Sequence, residues 1–157
     1  LVMEKATELG VARIVPVLGD GRLMLEREPD QGFDLLAMDA FCGDSIPAHL
    51  LTLEAMQDYL RHLKPDGILA VHITNRYLDL QPVMAAAAQH FGKTALLYEL
   101  ERDDDNDFCF TSDWVLIMSP ERAAALPPIM NDGVALKPKP GFRPWTDAFS
   151  NLFSVLK

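Results

Sequence analysis

Residues 34–73 read DLLAMDAFCGDSIPAHLLTLEAMQDYLRHLKPDGILAVHI and alternate between apolar and amphipathic segments. Residues 34–39 are apolar between two aspartates, which is typical of a parallel strand covered on both faces. A helix follows, capped by Thr52, because its apolar residues recur three and four positions apart. Lys64-Pro65-Asp66-Gly67 predicts a turn, and Ile68–Ile73 predicts a second buried strand. The segment therefore predicts a strand–helix–strand unit.

The flanking sequence continues the alternation of helices and strands. Upstream, residues 2–9 predict a short helix, and residues 12–18 predict an edge or irregular strand because Pro16 has no amide hydrogen. Downstream, the pattern predicts a helix set up by Asp79 and Pro82 and ended by Gly92, strands at 94–100 and 114–118, and a charged turn at 101–107. Such alternation predicts a doubly wound α/β fold with a parallel or mixed sheet and helices on both faces.

Length and composition limit the classes of protein to consider. The chain has 157 residues, and 14 Lys+Arg against 23 Asp+Glu give a net charge of −9. This charge argues against nucleic-acid binding and is compatible with cationic or uncharged ligands. We treat residues 1–157 as a single domain that is missing part of its fold, with an irregular proline-rich tail at 123–157 that is either packed or flexible.

Compartment and metal content are predicted from what the sequence lacks. Its apolar runs are shorter than the roughly 18 residues that span a bilayer, and the N-terminus does not follow the order of a signal peptide. Cys42 and Cys109 have neither CxxC nor Cys/His spacing. We therefore expect a cytoplasmic segment in a reducing compartment, with no membrane contact and no metal site.

Polar residues follow three predicted strands, where ligands bind in open α/β sheets. They are Asp20, Asp39 with the loop to Asp44, and the run from His72 to Asn75. Because the predicted strands end at the same edge of the sheet, we expect these three groups to line one crevice. Structural alternatives remain open for each: a turn for Asp20 and Asn75, a loop cap for Asp39, a loop hydrogen bond for Asp44 and a hydrogen-bonded core position for His72. The sequence contains no P-loop, GxGxxG or nucleophile elbow, which disfavours phosphoryl transfer and covalent chemistry.

A family likeness rests on several motifs in one order. They are Gly19-Asp20-Gly21, the strand-terminal Asp39, Pro47-Ala48, Lys64-Pro65-Asp66-Gly67 and the closing WTDAFSN at 145–151. Over residues 18–157 the chain resembles the second half of the spermidine synthase-like polyamine aminopropyltransferases. The resemblance implies a Rossmann-like fold of the S-adenosylmethionine-dependent methyltransferase type. Residues 1–18 resemble a segment of a ribosomal RNA uridine methyltransferase of the knotted type.

The resemblance also implies roles for individual residues. Asp39 corresponds to the catalytic carboxylate that faces the attacking amine. The residues placed at the nucleoside are Asp20, Gly21, Ala40, Pro47 and Ala48, and those placed at the substrate are Asp44, His72 and Asn75. His72 stands where the family has a glutamine, and Ala148 stands where the family has the second aspartate of its closing motif.

The implied reaction moves an aminopropyl group from decarboxylated S-adenosylmethionine to a polyamine acceptor such as putrescine. Two alternatives stay open: an S-adenosylmethionine-dependent methyltransferase acting on a small molecule, and a degenerate binding domain without catalysis. The family's glycine-rich first strand and acidic second strand do not precede Gly19. We therefore expect a fold without its first two strands. The activity of this chain stays open, and so does the formation of a homodimer.

Overall fold

The structure, a computed structural model, describes residues 12–40, 47–100, 111–127 and 132–157. Its α-helices in chain order are α1 (Gly21–Arg27), α2 (Leu53–Arg61), α3 (Gln81–His90) and α4 (Pro120–Ala124). Its strands are β1 (Phe33–Met38), β2 (Leu63–His72), β3 (Thr94–Leu100), β4 (Ser112–Met118) and β5 (Val134–Ala135). Two short 3₁₀ helices lie at Ala48–Leu50 and Leu152–Val155.

The five strands form one mixed sheet in the order β1-β2-β4-β3-β5. β1 pairs with β2 in parallel, and the β2–β4, β4–β3 and β3–β5 pairs are antiparallel. The predicted α/β class with a mixed sheet is confirmed. The strand predicted at 94–100 coincides with β3, and α2 begins after the predicted cap at Thr52, whose hydroxyl accepts from the Ala55 amide.

The predicted turn at Lys64–Gly67 forms a bulge within β2 instead of preceding it. Phe33 pairs with Leu63 and Leu35 pairs with Ile68, so one residue of β1 lies opposite four residues of β2. A methyl group on Gly67 would lie 2.9 Å from the Phe33 carbonyl oxygen. Glycine is therefore required here because the two strand backbones approach closely.

The hydrophobic core lies on one face of the sheet. Alternate strand residues point into it, among them Val71 of β2, Leu97 of β3 and Val115 of β4, which are paired in register. α1, α2 and α3 contribute their apolar residues to the same core, and α2 contacts both other helices. These three helices therefore cover this face of the sheet.

Two sequence expectations about strands are wrong. Residues 12–18 form no strand, because the segment pairs with no other described strand; most of it is exposed, and Pro16 has no amide hydrogen to donate. β1 is parallel to β2 as predicted, but it is not covered on both faces: Leu35 is 56% exposed. β1 lies at the end of the strand order, where an apolar sequence does not ensure a covering layer.

The C-terminal residues pack on the core through two anchors. Trp145 and Val155 are buried, and the Asp79 amide donates to the Val155 carbonyl at 2.7 Å. At these two anchors the tail is packed, which was one of the two alternatives for residues 123–157. The helix predicted at 2–9 and the charged turn predicted at 101–107 lie outside the described residues.

Candidate functional site

Asp20 caps the start of α1 and contacts the segment that carries the Pro-Ala motif. Its Oδ1 accepts from the Leu23 amide at 3.1 Å, and its Oδ2 lies 3.0 Å from Nε2 of His49. The hydrogen bond from the Leu23 amide, helped by His49, lowers the pKa of Asp20. His49 follows Pro47 and Ala48 in the 3₁₀ helix, so the structure brings together two of the predicted nucleoside motifs.

Gly21 is the first residue of α1 and lies next to Asp20 in an open environment. A methyl group added there would meet no described atom within 4 Å. The fold therefore does not need glycine at this position for packing.

A buried arginine that the sequence analysis missed joins this region to the closing motif. Arg22 donates through Nη1 and Nη2 to the two oxygens of Asp147 at 2.7 and 2.6 Å. Thr52 donates to Asp147 Oδ1 at 2.8 Å, and Arg22 also donates to the His49 carbonyl at 2.9 Å. We call Arg22, His49, Thr52 and Asp147 the clamp, because they join α1, α2 and the C-terminal segment.

The clamp shifts the pKa values of its charged members. The bidentate contact with Arg22, followed by Thr52, lowers the pKa of Asp147 to about 2. The same contact raises the pKa of Arg22. The sequence signal for this pair was an arginine directly after Gly-Asp-Gly and an aspartate in the closing motif, but 125 positions separate the two residues.

The predicted catalytic aspartate meets the predicted substrate histidine at the carboxyl ends of β1 and β2. Asp39 Oδ1 lies 2.8 Å from Nδ1 of His72, and the two side chains are 63% and 22% exposed. No described residue makes a hydrogen bond to Asp39 Oδ2. The arrangement therefore holds one carboxylate oxygen on the protein and leaves the other accessible to a ligand.

His72 is held on its remaining sides by residues that the sequence analysis did not select. Its Nε2 lies 2.7 Å from Oγ1 of Thr74, which accepts from the Asp113 amide at 2.7 Å. Its ring stacks on Trp114 with a centroid distance of 4.9 Å and an interplanar angle of 20°. His72 and Trp114 are paired in register on β2 and β4, so the sheet itself positions the stack.

Asn75 forms the turn that was the structural alternative for this residue. Its side-chain oxygen accepts from the amides of Tyr77 and Leu78 at 2.9 and 2.8 Å. Its substrate role stays a prediction, as does the role of Ala40, which follows Asp39. Asp44 lies outside the described residues, as does Cys42.

The part of the chain that the structure describes lacks two kinds of feature. It contains no group of three or more His, Cys, Asp or Glu side chains placed to hold a metal ion. No helix among the same residues is long and apolar enough to cross a bilayer.

Comparisons with known proteins establish the fold. No protein-family model matches the chain, and no curated protein matches it in sequence. Among solved structures, it is similar to a probable spermidine synthase from Corynebacterium glutamicum ATCC 13032, with a TM-score of 0.56 and 18% sequence identity. The match covers 96% of this chain and 62% of that one, so the chain spans less than two thirds of the spermidine synthase. The chain has a spermidine synthase-like, Rossmann-like fold.

Proposed function

We propose that this chain is a spermidine synthase-like transferase that moves an aminopropyl group from decarboxylated S-adenosylmethionine to a polyamine such as putrescine. The observation that carries the proposal is the Asp39–His72 pair at the carboxyl ends of two adjacent parallel strands, where ligands of open α/β sheets bind. Similarity in fold to a probable spermidine synthase supports the same reaction class.

Asp39 is the proposed acceptor of the amine proton. The amine nitrogen forms a bond to the propyl carbon next to the sulfonium, and the carbon–sulfur bond breaks. Methylthioadenosine leaves as a neutral thioether, and the proton of the new ammonium passes to Asp39 Oδ2. Because the sulfonium is already a good leaving group, the protein contributes mainly by orienting the amine and removing its proton.

The nucleoside is proposed to bind beside the start of α1. Asp20 would accept from the adenine amino group, Gly21 would give the ligand access to the backbone, and Pro47 with Ala48 would supply an apolar wall. The contact between Asp20 and His49 supports this assignment, since it joins the acceptor to the Pro-Ala segment. The open space at Gly21 is compatible with this placement.

Acidic residues at the same end of the sheet favour a cationic acceptor. Asp39 ends β1, while Glu99 of β3 lies directly opposite Asp113 of β4 in the antiparallel ladder. Like charges in opposite positions destabilise a pair of strands, and a nearby cation reduces that repulsion. A polyamine carries the charge that this end of the sheet would attract.

Replacing Asp39 tests the proposal. We expect Asp39→Asn to lower the release of methylthioadenosine by at least about 100-fold, because the amide cannot accept the amine proton. The matched control is Asp34→Asn at the other end of β1, where the exposed carboxylate pairs with Lys64 at 2.6 Å. The control is expected to keep full activity. An Asp39→Asn protein that keeps it too would contradict the proposal.

Product analysis separates the remaining alternatives. Aminopropyl transfer releases methylthioadenosine, whereas methyl transfer from S-adenosylmethionine releases S-adenosylhomocysteine. Release of the second product alone would replace the proposal with a methyltransferase. A folded chain that binds neither nucleoside in calorimetry would replace it with a degenerate binding domain.

A further inference from the structure

We propose that His72 is a positioning residue: as a neutral imidazole it donates through Nδ1 to Asp39, while Nε2 accepts from the Thr74 hydroxyl. The inference concerns how the Asp39 carboxylate is held, and its catalytic consequence rests on the proposed function. It follows from the direction of four hydrogen-bonding groups that lie in a chain from β4 to β1.

This series of hydrogen bonds begins at a group that can only donate. The Asp113 amide donates to Thr74 Oγ1 at 2.7 Å and uses one lone pair of that oxygen. The Thr74 hydroxyl can direct its hydrogen to His72 Nε2, which is also 2.7 Å away. Nε2 is then an acceptor without a proton. A neutral imidazole carries its proton on the other nitrogen, so Nδ1 is the donor.

The far end of the chain requires the same tautomer. Asp39 Oδ1 lies 2.8 Å from Nδ1, and an ionised carboxylate can only accept. The opposite tautomer would place two lone pairs against each other at this distance. Of the two neutral tautomers, only the one protonated on Nδ1 lets all four groups form their hydrogen bonds.

Stacking on Trp114 fixes the orientation of the His72 ring. The imidazole lies against Trp114, and the Ile73 amide next to it donates to the Asp113 carbonyl at 2.8 Å. The ring therefore cannot turn without losing two hydrogen bonds and the stack. Asp39, whose side chain is mostly exposed, obtains a fixed direction from a ring that is mostly buried.

Two consequences follow for the proposed reaction. Both imidazole nitrogens already form hydrogen bonds, to Asp39 and to Thr74, so neither accepts the amine proton. Asp39 Oδ2 is therefore the group that meets the amine. A carboxylate beside a neutral imidazole also keeps a net negative charge, whereas an imidazolium would neutralise it and weaken the attraction for a cationic amine.

The tautomer is measured directly, without any assay of turnover. We expect the ¹⁵N resonances of His72 in the full chain near pH 8 to show a protonated Nδ1 and an unprotonated, hydrogen-bonded Nε2. Thr74→Val should shift the Nε2 resonance toward that of a nitrogen without a donor, and Thr74→Ser should leave it in place. A protonated Nε2, whether in the other neutral tautomer or in an imidazolium, would overturn the proposal.

Kinetics test the positioning role separately. We expect His72→Ala to lower kcat by about tenfold or more, because misplacing a reacting group by about 1 Å costs up to roughly 100-fold, while KM for the nucleoside stays unchanged. His72→Asn should restore most of kcat, since its amide donates from nearly the position of Nδ1. Equal loss in both variants would overturn the role in catalysis.

The two proposals fail in different ways. If the protein has the expected tautomer but no transferase activity, the proposed function is refuted and the proposed hydrogen bonds of His72 are not. If the protein is active but Nε2 is protonated, the positioning of Asp39 by His72 is refuted and the proposed transferase function is not.

Discussion

The clamp and the Asp39–His72 pair are both built on an aspartate, but they satisfy it to different degrees. Both oxygens of Asp147 accept hydrogen bonds, from Arg22 and Thr52, whereas Asp39 has a described partner on Oδ1 alone. The arginine of the clamp has a side chain only 11% exposed. The Asp147 carboxylate therefore joins two segments of the protein, whereas Oδ2 of Asp39 keeps the capacity to bind a ligand.

The difference is also one of position along the chain. The clamp joins α1 to residues near the C-terminus, and 125 positions separate Arg22 from Asp147. The Asp39–His72 pair joins neighbouring strands that the β1–β2 ladder already holds. We therefore expect substitutions in the clamp to act on stability, and substitutions in the pair to act on activity.

The largest effect on stability is expected from removing the arginine. Arg22→Met should lower the free energy of unfolding by about 2 kcal/mol, less than for a fully buried pair because Asp147 is 46% exposed. The measurement is denaturant unfolding, with Arg27→Met on the exposed side of the same helix as the control. Equal values for the two variants would show that the clamp is not a stabilising element.

A smaller effect is expected from acid. The folded-state pKa of Asp147, about 2, lies below its ordinary value of 3.8, so the stability that this carboxylate contributes is fully present above that ordinary value. It is lost as the pH falls from about 4 to about 2. Asp147→Asn should flatten this part of the stability profile, measured by unfolding at a series of pH values. An unchanged acid limb would contradict the assignment.

The smallest effect on folding is expected at the turn beside the clamp. Gly21→Ala should change the free energy of unfolding by less than about 0.5 kcal/mol, because the added methyl group meets no described atom. The same methyl group should weaken methylthioadenosine binding in calorimetry, since it fills space proposed for the nucleoside. Unchanged affinity would move the nucleoside away from this turn.

Local sequence predicted the elements that depend on local interactions. Apolar spacing and the Thr52 cap predicted α2, and the Gly92 stop predicted the end of α3, where that residue has a φ of 62°. The strand predicted at 12–18 was wrong because a strand needs a partner, which a chain segment cannot specify alone. The bulge at Lys64–Gly67 depends likewise on its pairing with β1.

The candidate site residues show the same difference between what local sequence predicts and what depends on strand pairing. The predicted topology placed Asp20, Asp39 and the run from His72 in one crevice. The parallel pairing of β1 and β2 does bring Asp39 and His72 together, whereas Asp20 follows no strand, because residues 12–18 form none. The predicted topology was not enough to predict Thr74 and Trp114 as supports of this pair, since that requires the register of β4.

The amino-acid order alone determined the alternation of elements, the acidic character and the aspartate that ends β1, because periodicity, charge and capping act over a few neighbouring residues. Only the tertiary structure decided that Arg22 binds Asp147, that β1 remains exposed and that His72 is held from both sides. Such contacts join distant positions, and their energy depends on the burial and direction that packing imposes.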